Sequence, residues 1–326
     1  MYPMVNSFLN QKTICVAGGA GFVGSHLCDR LLKEDFKSMI VIDNLATGEL
    51  KNLKVTLQDS RVSFIQQDLC DYDGLKKILS QLNVDVLINL AVIPLLASFN
   101  EPISCFEQNT SIVSNLCQLT HETSISKFVH FSSSEVYGDL IYDPMDENHP
   151  LNGTTPYAAS KIAGDKLIQS YIKSFEINST IIRPFNIFGP RQNMGQYAAV
   201  IPRVVNNVFQ KEEPTIFGSG QQTRDFNFVG DVVEACADIL NKSDFEYDII
   251  NIGSGVERPI REIIESVCCL MEYSGEIKYE PWRQADIMRH RADFRRAAEI
   301  IDYEYTDNFD EQLQYTIDWY KLSSIE

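Results

Sequence analysis

The sequence predicts an α/β fold, a doubly wound parallel sheet followed by a smaller C-terminal lobe. Three observations carry that prediction. Short apolar runs alternate with amphipathic stretches from residue 13 to residue 184, the rhythm of strands joined by crossover helices. The runs are apolar at consecutive positions, as strands covered on both faces require. Past Pro184 the alternation loosens, which marks a different kind of packing unit. The expected division is 1–184 for the sheet domain, with some later segments returning to it, and 185–326 for the lobe.

The first element is a strand at Ile14–Ala17, followed by glycines at 18, 21 and 24 and an amphipathic segment with Leu27, Leu31 and Leu32. Strand, glycine turn and helix form the context of a dinucleotide site. Gly18 would allow the tight turn, Gly21 the approach of a pyrophosphate, and Gly24 close packing of helix on strand. The anion would rest on free N–H groups at the helix N-terminus. A second strand, Met39–Ile42, ends at Asp43, 19 residues past Gly24. An acidic residue there takes the ribose hydroxyls of NAD. No Arg or Lys follows in Asn44–Thr47 to welcome a 2′-phosphate, so NAD is expected over NADP. The pattern is that of a Rossmann-type domain.

Val62–Ile65 reads as the third strand. Asp68 and Leu69 lie just past it, and Asp68 can meet an adenine or cap the helix that starts near Asp71. Val84–Ala91 is the fourth strand, Glu101–Glu122 a long helix and Lys127–Phe131 the fifth strand, which runs into Ser132-Ser133-Ser134-Glu135. A further helix opens at Tyr157, and a sixth strand spans Asn178–Arg183. The C-terminal part reads as helices near 200–210 and 232–240 with short strands near 215–217 and 249–251. Gly18, Asp43, Asp68, Ala91 and Ser133 all fall at carboxyl ends of strands, where open α/β sheets bind ligands.

Bulk properties narrow the partners. With 28 basic and 45 acidic residues the net charge is −17, a surface that repels nucleic acid and offers no polybasic membrane patch. No apolar run reaches the roughly 20 residues of a membrane helix, and the first ten residues lack the pattern of a signal peptide. A cytoplasmic location is expected. The eight cysteines form no Cys-x-x-Cys pair and have no His at ligand spacing, so they are expected as reduced, buried thiols with no metal.

Tyr157 and Lys161 are four residues apart on one helix face. An ammonium beside the phenol, together with the positive nicotinamide ring, would lower the tyrosine's pKa and let it act as base. Ser133 could hydrogen-bond the same substrate oxygen.

At these residues the sequence resembles the extended short-chain dehydrogenase/reductases that act on nucleotide sugars. The resemblance includes Gly18-x-x-Gly21-x-x-Gly24, Asp43-Asn44-Leu45, Ser133/Tyr157/Lys161 and Arg183-Pro184-Phe185-Asn186. It continues through Gly189-Pro190-Arg191-Gln192, Gly218-x-Gly220-x-Gln222-x-Arg224-Asp225-Phe226 and Arg283-x-x-Asp286. It implies NAD held through turnover and a nucleotide-sugar substrate, with Tyr157 taking the proton of a sugar hydroxyl, usually at C4. The cofactor set it implies is Gly18, Gly21, Phe22, Val23, Gly24, Asp43, Asn44, Asp68, Leu69, Ala91 and Asn109, with Tyr157 and Lys161. Asn186, Arg224 and Arg283 are implied at the substrate diphosphate, where guanidinium forks suit phosphate oxygens; Arg191 and Arg289 are further contributors.

Glu135 stands where dehydrating members of the family keep the base for the C5 proton, so a 4,6-dehydratase is the leading expectation and a 4-epimerase its rival. Ser134 occupies the place of a catalytic Asp in many dehydratases, although GDP-mannose dehydratases show a similar Ser-Glu pair. Uronate decarboxylases share that pair, but their proline-rich loop is missing from the apolar Ala91–Leu96 stretch. A catalytically silent NAD-binding regulator is the remaining alternative, and the intact Ser133/Tyr157/Lys161 set speaks against it. The resemblance also implies a homodimer through the helices 101–122 and 157–175.

Overall fold

The computed structural model describes residues 7–123, 125–242, 248–283 and 285–323. The chain begins β1 (Thr13–Ala17), α1 (Phe22–Leu31), β2 (Ser38–Asp43), β3 (Val62–Gln66), α2 (Tyr72–Leu82) and β4 (Val86–Asn89). It continues α3 (Ala97–Asn100), α4 (Pro102–Glu122), β5 (Lys127–Phe131), α5 (Pro156–Phe175), β6 (Ser179–Pro184) and β7 (Asn186–Phe188). Then come α6 (Val200–Gln210), β8 (Thr215–Phe217), β9 (Thr223–Phe228), α7 (Val229–Asn241), β10 (Ile249–Ile252) and β11 (Glu257–Pro259). The last elements are α8 (Ile260–Leu270), β12 (Lys278–Glu280), α9 (Arg295–Ile301) and α10 (Phe309–Ser323).

Seven strands form one parallel sheet in the order β10-β6-β5-β4-β1-β2-β3. The order reverses between β1 and β4, which opens a crevice at their carboxyl ends. Side chains alternate between the two faces. Ile14, Val16, Met39 and Val41 join a core with Leu27 and Leu31 of α1 and Val232 and Cys236 of α7. Cys15, Ala17, Ile40 and Ile42 join the opposite core with Leu75 of α2, Leu116 of α4 and Ile168 of α5. Both faces are therefore covered, which explains the unbroken apolar runs. Helices α4 and α5 approach closely at Gly164, where an added Cβ would stand 3.2 Å from Val113.

The segment 249–251, well past the expected division at 184, joins the large sheet beside β6. Its residues Ile249–Ile252 are all buried, with Ile249 on one core and Ile250 and Ile252 on the other, so it behaves as another two-sided strand. Helix α7 likewise packs on α1 and starts at Val229, three residues before the expected 232. A third core collects Phe188, Val204, Ile216, Phe226, Ile263, Phe309 and Ile317 from later elements. No helix among the described residues is long and apolar enough to cross a membrane.

Six of the eight unpaired cysteines are buried, Cys70 is half-buried and Cys269 is exposed, so the buried-thiol expectation fails at Cys269.

Candidate active site

One cavity of about 560 Å³ runs across the crevice, from the glycine turn to the C-terminal core. The three glycines differ as their spacing implies. Gly18 has φ +77°, and a Cβ there would lie 2.5 Å from the Ala91 nitrogen. A Cβ on Gly24 would lie 2.2 Å from the Gly18 carbonyl oxygen, and one on Gly21 would meet only that oxygen, at 3.2 Å. Gly21 thus faces the cavity while Gly24 is locked in packing. Helix α1 has no side-chain cap, so its N-terminal dipole is turned to the cavity wall formed by Gly21, Phe22 and Val23. These residues fit a dinucleotide pyrophosphate.

Asp43, Asn44, Asp68, Leu69 and Ala91 line the same end. The Asp43 carboxylate accepts from the Ala20 N–H at 3.0 Å and from the Leu45 N–H at 2.8 Å, which aims it; burial raises its pKa. Asp71, not Asp68, caps α2, accepting from the Gly74 N–H, while Asp68 accepts from the Cys70 N–H at 2.8 Å. Asn109 departs from expectation. It does not border the cavity; it clamps the Ile93 backbone, accepting from its N–H at 2.7 Å and donating to its carbonyl at 3.2 Å. Its role is to hold the Ala91–Leu96 wall.

The chemical end is built at the carboxyl edge of β5 and the start of α5, which Thr155 caps by accepting from the Ala158 N–H. Ser133, Glu135, Tyr157 and Lys161 all line the cavity there. The Glu135 N–H donates to Ser133 Oγ at 3.2 Å. Lys161 Nζ donates to the Phe131 carbonyl at 2.8 Å and stands 6.0 Å from the centre of the Tyr157 ring. Burial pulls the Lys161 pKa down to about 8. Burial pushes the Tyr157 phenol well above its ordinary value, and the contact that counters this is a hydrogen bond with Ser133.

Burial also raises the pKa of Glu135, which Arg224 opposes. Ser134 borders the cavity, but its hydroxyl lies 3.4 Å from Nδ1 of fully buried His290. His290 Nε2 donates to the Gly138 carbonyl at 3.0 Å, so Nδ1 is the acceptor. The Ser134 hydroxyl thus has a partner on the core side of the site.

Asn186, Arg224 and Arg283 line the far end of the cavity. Arg224 bonds the Ile287 carbonyl at 2.7 Å and pairs with Asp286 at 2.6 Å. The Arg283 guanidinium lies 3.6 Å from the Phe217 ring centre. The sequence reading missed Arg203, which borders the cavity, lies 5.5 Å from the same ring centre and has its pKa lowered to about 10 by burial and by Arg283. Its position on α6 follows no motif; the only sequence signal is a lone Arg on an apolar helix face. Arg191 pairs with Asp29 of α1 at 2.7 Å, which ties it to the cofactor end and not to the other arginines. Arg289 pairs with Asp143 and Glu257 and does not border the cavity.

A glycine-cradled crevice joined to buried Tyr157 and Lys161 and half-buried Ser133 defines a nicotinamide-dependent enzyme of the Rossmann class. The comparisons with known proteins place it further. Residues 14–253 match the model of the NAD dependent epimerase/dehydratase family, and the chain belongs to that family, with NAD as its cofactor. It is 30% identical over 313 residues to the UDP-glucose 4-epimerase of Mycolicibacterium smegmatis, covering 95% of this chain and 98% of that one. It is also 30% identical over 320 residues to the human dTDP-D-glucose 4,6-dehydratase, covering 95% and 90%. Among solved structures it resembles the dTDP-glucose 4,6-dehydratase DesIV from Streptomyces venezuelae with NAD bound, at TM-score 0.90, 26% identity and coverage of 95% and 97%.

Proposed function

We propose that this chain interconverts a nucleoside-diphosphate sugar through transient oxidation at C4, and that its overall reaction is 4-epimerisation. The observation that supports the first part is the convergence of Ser133, Tyr157 and Lys161 at the carboxyl edge of β5, across the cavity from the glycine cradle. NAD supplies the two-electron acceptor that takes the C4 hydrogen and later returns it. Tyr157 accepts the proton of the C4 hydroxyl, and Ser133 donates to the same oxygen. Lys161 spends one N–H on the Phe131 carbonyl and has two left for the site. Arg203, Arg224, Arg283 and Asn186 bind the diphosphate end. Rotation of the 4-ketone and return of the hydrogen to its other face need no further acid or base.

Sequence reasoning ranks 4,6-dehydration first, on Glu135. Ser134 reverses that order, because elimination needs an acid at the leaving C6 hydroxyl and Ser134 is turned to His290. Dehydration stays as the second reading because Glu135 borders the cavity with a raised pKa, which suits a carboxyl that must exchange protons. The NAD-loaded protein is incubated with UDP-, dTDP- and GDP-hexoses, and products are followed by NMR. A C4 epimer supports the proposal, and a 4-keto-6-deoxy sugar supports the second reading. No turnover of any donor, with NAD still bound, supports a non-catalytic scaffold.

The helix pair α4/α5 is the proposed homodimer face. Ile103 and Phe106 of α4, Phe175 of α5 and the neighbouring Phe99 are large apolar side chains left exposed. Unpaired thiols and the net charge of −17 fit a cytoplasmic protein that binds neither nucleic acid nor membrane.

A further inference from the structure

Ser133 and Glu135 belong to a short 3₁₀ turn, Ser134–Tyr137, which Ser133 caps. The turn's own hydrogen bonds are long. The Glu135 N–H donates to Ser133 Oγ at 3.2 Å, the Val136 N–H to the Ser133 carbonyl at 3.4 Å and the Gly138 N–H to the Glu135 carbonyl at 3.3 Å. These lie at or beyond the edge of good geometry, as 3₁₀ bonding tends to do. Side chains on such a turn keep their direction only if other parts of the chain hold it.

His290 holds both ends. Its Nε2 donates to the Gly138 carbonyl at 3.0 Å, and its Nδ1 takes the Ser134 hydroxyl at 3.4 Å. Ser134, Gly138 and His290 are all buried. The imidazole also lies 5.5 Å from the ring of Phe185, which borders the cavity. The other outside contacts reach the middle of the turn: the Gly153 N–H donates to the Val136 carbonyl at 3.1 Å, and Arg183 and Asn251 bond the Tyr137 hydroxyl.

His290 is itself delivered by a fixed segment. Arg224 donates to the Ile287 carbonyl and pairs with Asp286. Asp139 accepts from the Met288 and Arg289 N–H groups. Past the histidine, the Met145 N–H donates to the Arg291 carbonyl at 2.9 Å and the Ala292 N–H to Asp225 at 3.0 Å. The stretch that fixes the Arg224 guanidinium thus also carries the imidazole behind Ser133 and Glu135.

We propose that His290 is the positioning residue of this turn: it sets Ser133 and Glu135 against the substrate, in register with Arg224, without touching the reacting atoms. This rests on the reading of Ser133 as part of the catalytic group. His290 does not border the cavity, so its effect on the reaction runs through the turn. A histidine that only filled the core would act on the stability of the whole fold instead.

The test compares NAD-loaded wild type, His290→Leu and His290→Gln. Leucine has a similar volume and makes neither bond, while glutamine keeps an N–H for the Gly138 carbonyl. Steady-state kinetics of substrate-driven nicotinamide reduction are measured per bound NAD. Misplacement of reacting groups costs rate more than binding, so His290→Leu should lower kcat about tenfold or more with KM for the nucleotide sugar nearly unchanged, and His290→Gln should recover most of the loss. Hydrogen exchange is followed in the same proteins. In His290→Leu the amides of Glu135, Val136 and Gly138 should exchange about tenfold faster or more while those of β1 and β4 do not change. An unchanged kcat in His290→Leu, equal losses in the two variants, or exchange that rises everywhere together with a lower Tm makes His290 a core residue and overturns the proposal. If His290→Leu does not fold, Ser134→Ala removes the weaker bond alone; faster exchange at Glu135 then supports the proposal and no change overturns it. If no sugar nucleotide reduces the wild-type cofactor, the catalytic reading has failed, and the exchange pattern still decides whether His290 positions the turn.

Discussion

The backbone N–H of Glu135 donates to Ser133 Oγ at 3.2 Å, so the hydroxyl that faces the phenol is oriented by the residue whose carboxyl shares the site. The bond belongs to the main chain, and Glu135→Gln leaves it intact. The variant therefore separates the carboxyl's chemistry from its neighbour's geometry. If 4-epimerisation is the reaction, Glu135→Gln keeps substrate-driven reduction of NAD and retains epimer formation within about threefold of wild type, a loss well short of the 10²–10⁴-fold a general base contributes. An oxidised sugar that accumulates without product would restore the dehydratase reading.

Tyr157→Phe removes the group that accepts the hydroxyl proton. The phenol has a raised pKa from burial, and Phe fills the same space, so the fold should be unaffected. Turnover should fall by about 10²–10⁴-fold while bound NAD is retained, measured by the absorbance of extracted cofactor. Loss of cofactor along with activity would instead make Tyr157 a binding residue.

Gly21 and Gly24 separate cofactor binding from packing. A Cβ at Gly24 would stand 2.2 Å from the Gly18 carbonyl oxygen and 2.8 Å from Gly19 Cα, both backbone atoms that cannot swing away. Gly24→Ala should cost about 1–3 kcal/mol, read as a lower Tm in protein stripped of NAD. Gly21→Ala adds a methyl on the cavity side, with its one close contact at 3.2 Å. It should leave the Tm of stripped protein nearly unchanged and weaken NAD binding about tenfold or more. Equal thermal losses in the two variants would reject the distinction.

What the sequence made legible followed from spacing. The glycines, Asp43 and the Tyr157/Lys161 pair lie within a few residues of strand ends or within one helical turn, where local geometry decides direction. Arg203 was illegible because its position beside Arg283 and Phe217 depends on how α6 packs against the later elements. Asn109 was misread because its amide could face the cavity or the Ile93 backbone equally well at its place on α4, and only packing chose. Ser134 carried the same ambiguity, since its partner His290 is 156 residues away. The burial that raises the Tyr157 pKa was illegible too, because a sequence shows neighbours in the chain but not what packs around them.

Arg203 tests the part of the site that no motif revealed. It and Arg283 flank the Phe217 ring at 5.5 and 3.6 Å from its centre. Burial lowers the pKa of both, and repulsion from Arg283 lowers that of Arg203 further, a cost that an anionic ligand would offset. Arg203→Met keeps the apolar stem and removes the charge. Charge-assisted bonds to phosphate are worth about 1.5–3 kcal/mol, so KM for the nucleotide sugar should rise about tenfold or more with kcat little changed. An unchanged KM would confine Arg203 to packing.

Acid should destabilise the fold through its buried histidines. His290 is fully buried with its pKa lowered to about 3, and His130 is lowered well below 6.5. In each case burial disfavours the cation in the folded state. Below about pH 6.5 the unfolded chain therefore binds protons that the folded chain refuses, and stability is lost as pH falls. His290 contributes about 1.4 kcal/mol per pH unit in that window, or about 2 kcal/mol between pH 6.5 and pH 5. For His290 the loss continues toward its folded value near 3. His290→Gln keeps a donor for the Gly138 carbonyl and does not titrate. Urea unfolding at pH 7.5 and pH 5 should show the variant losing about 2 kcal/mol less than wild type over that interval. Equal losses would mean that His290 is already charged in the folded protein, and Ser134 would then have to accept from it instead of donating.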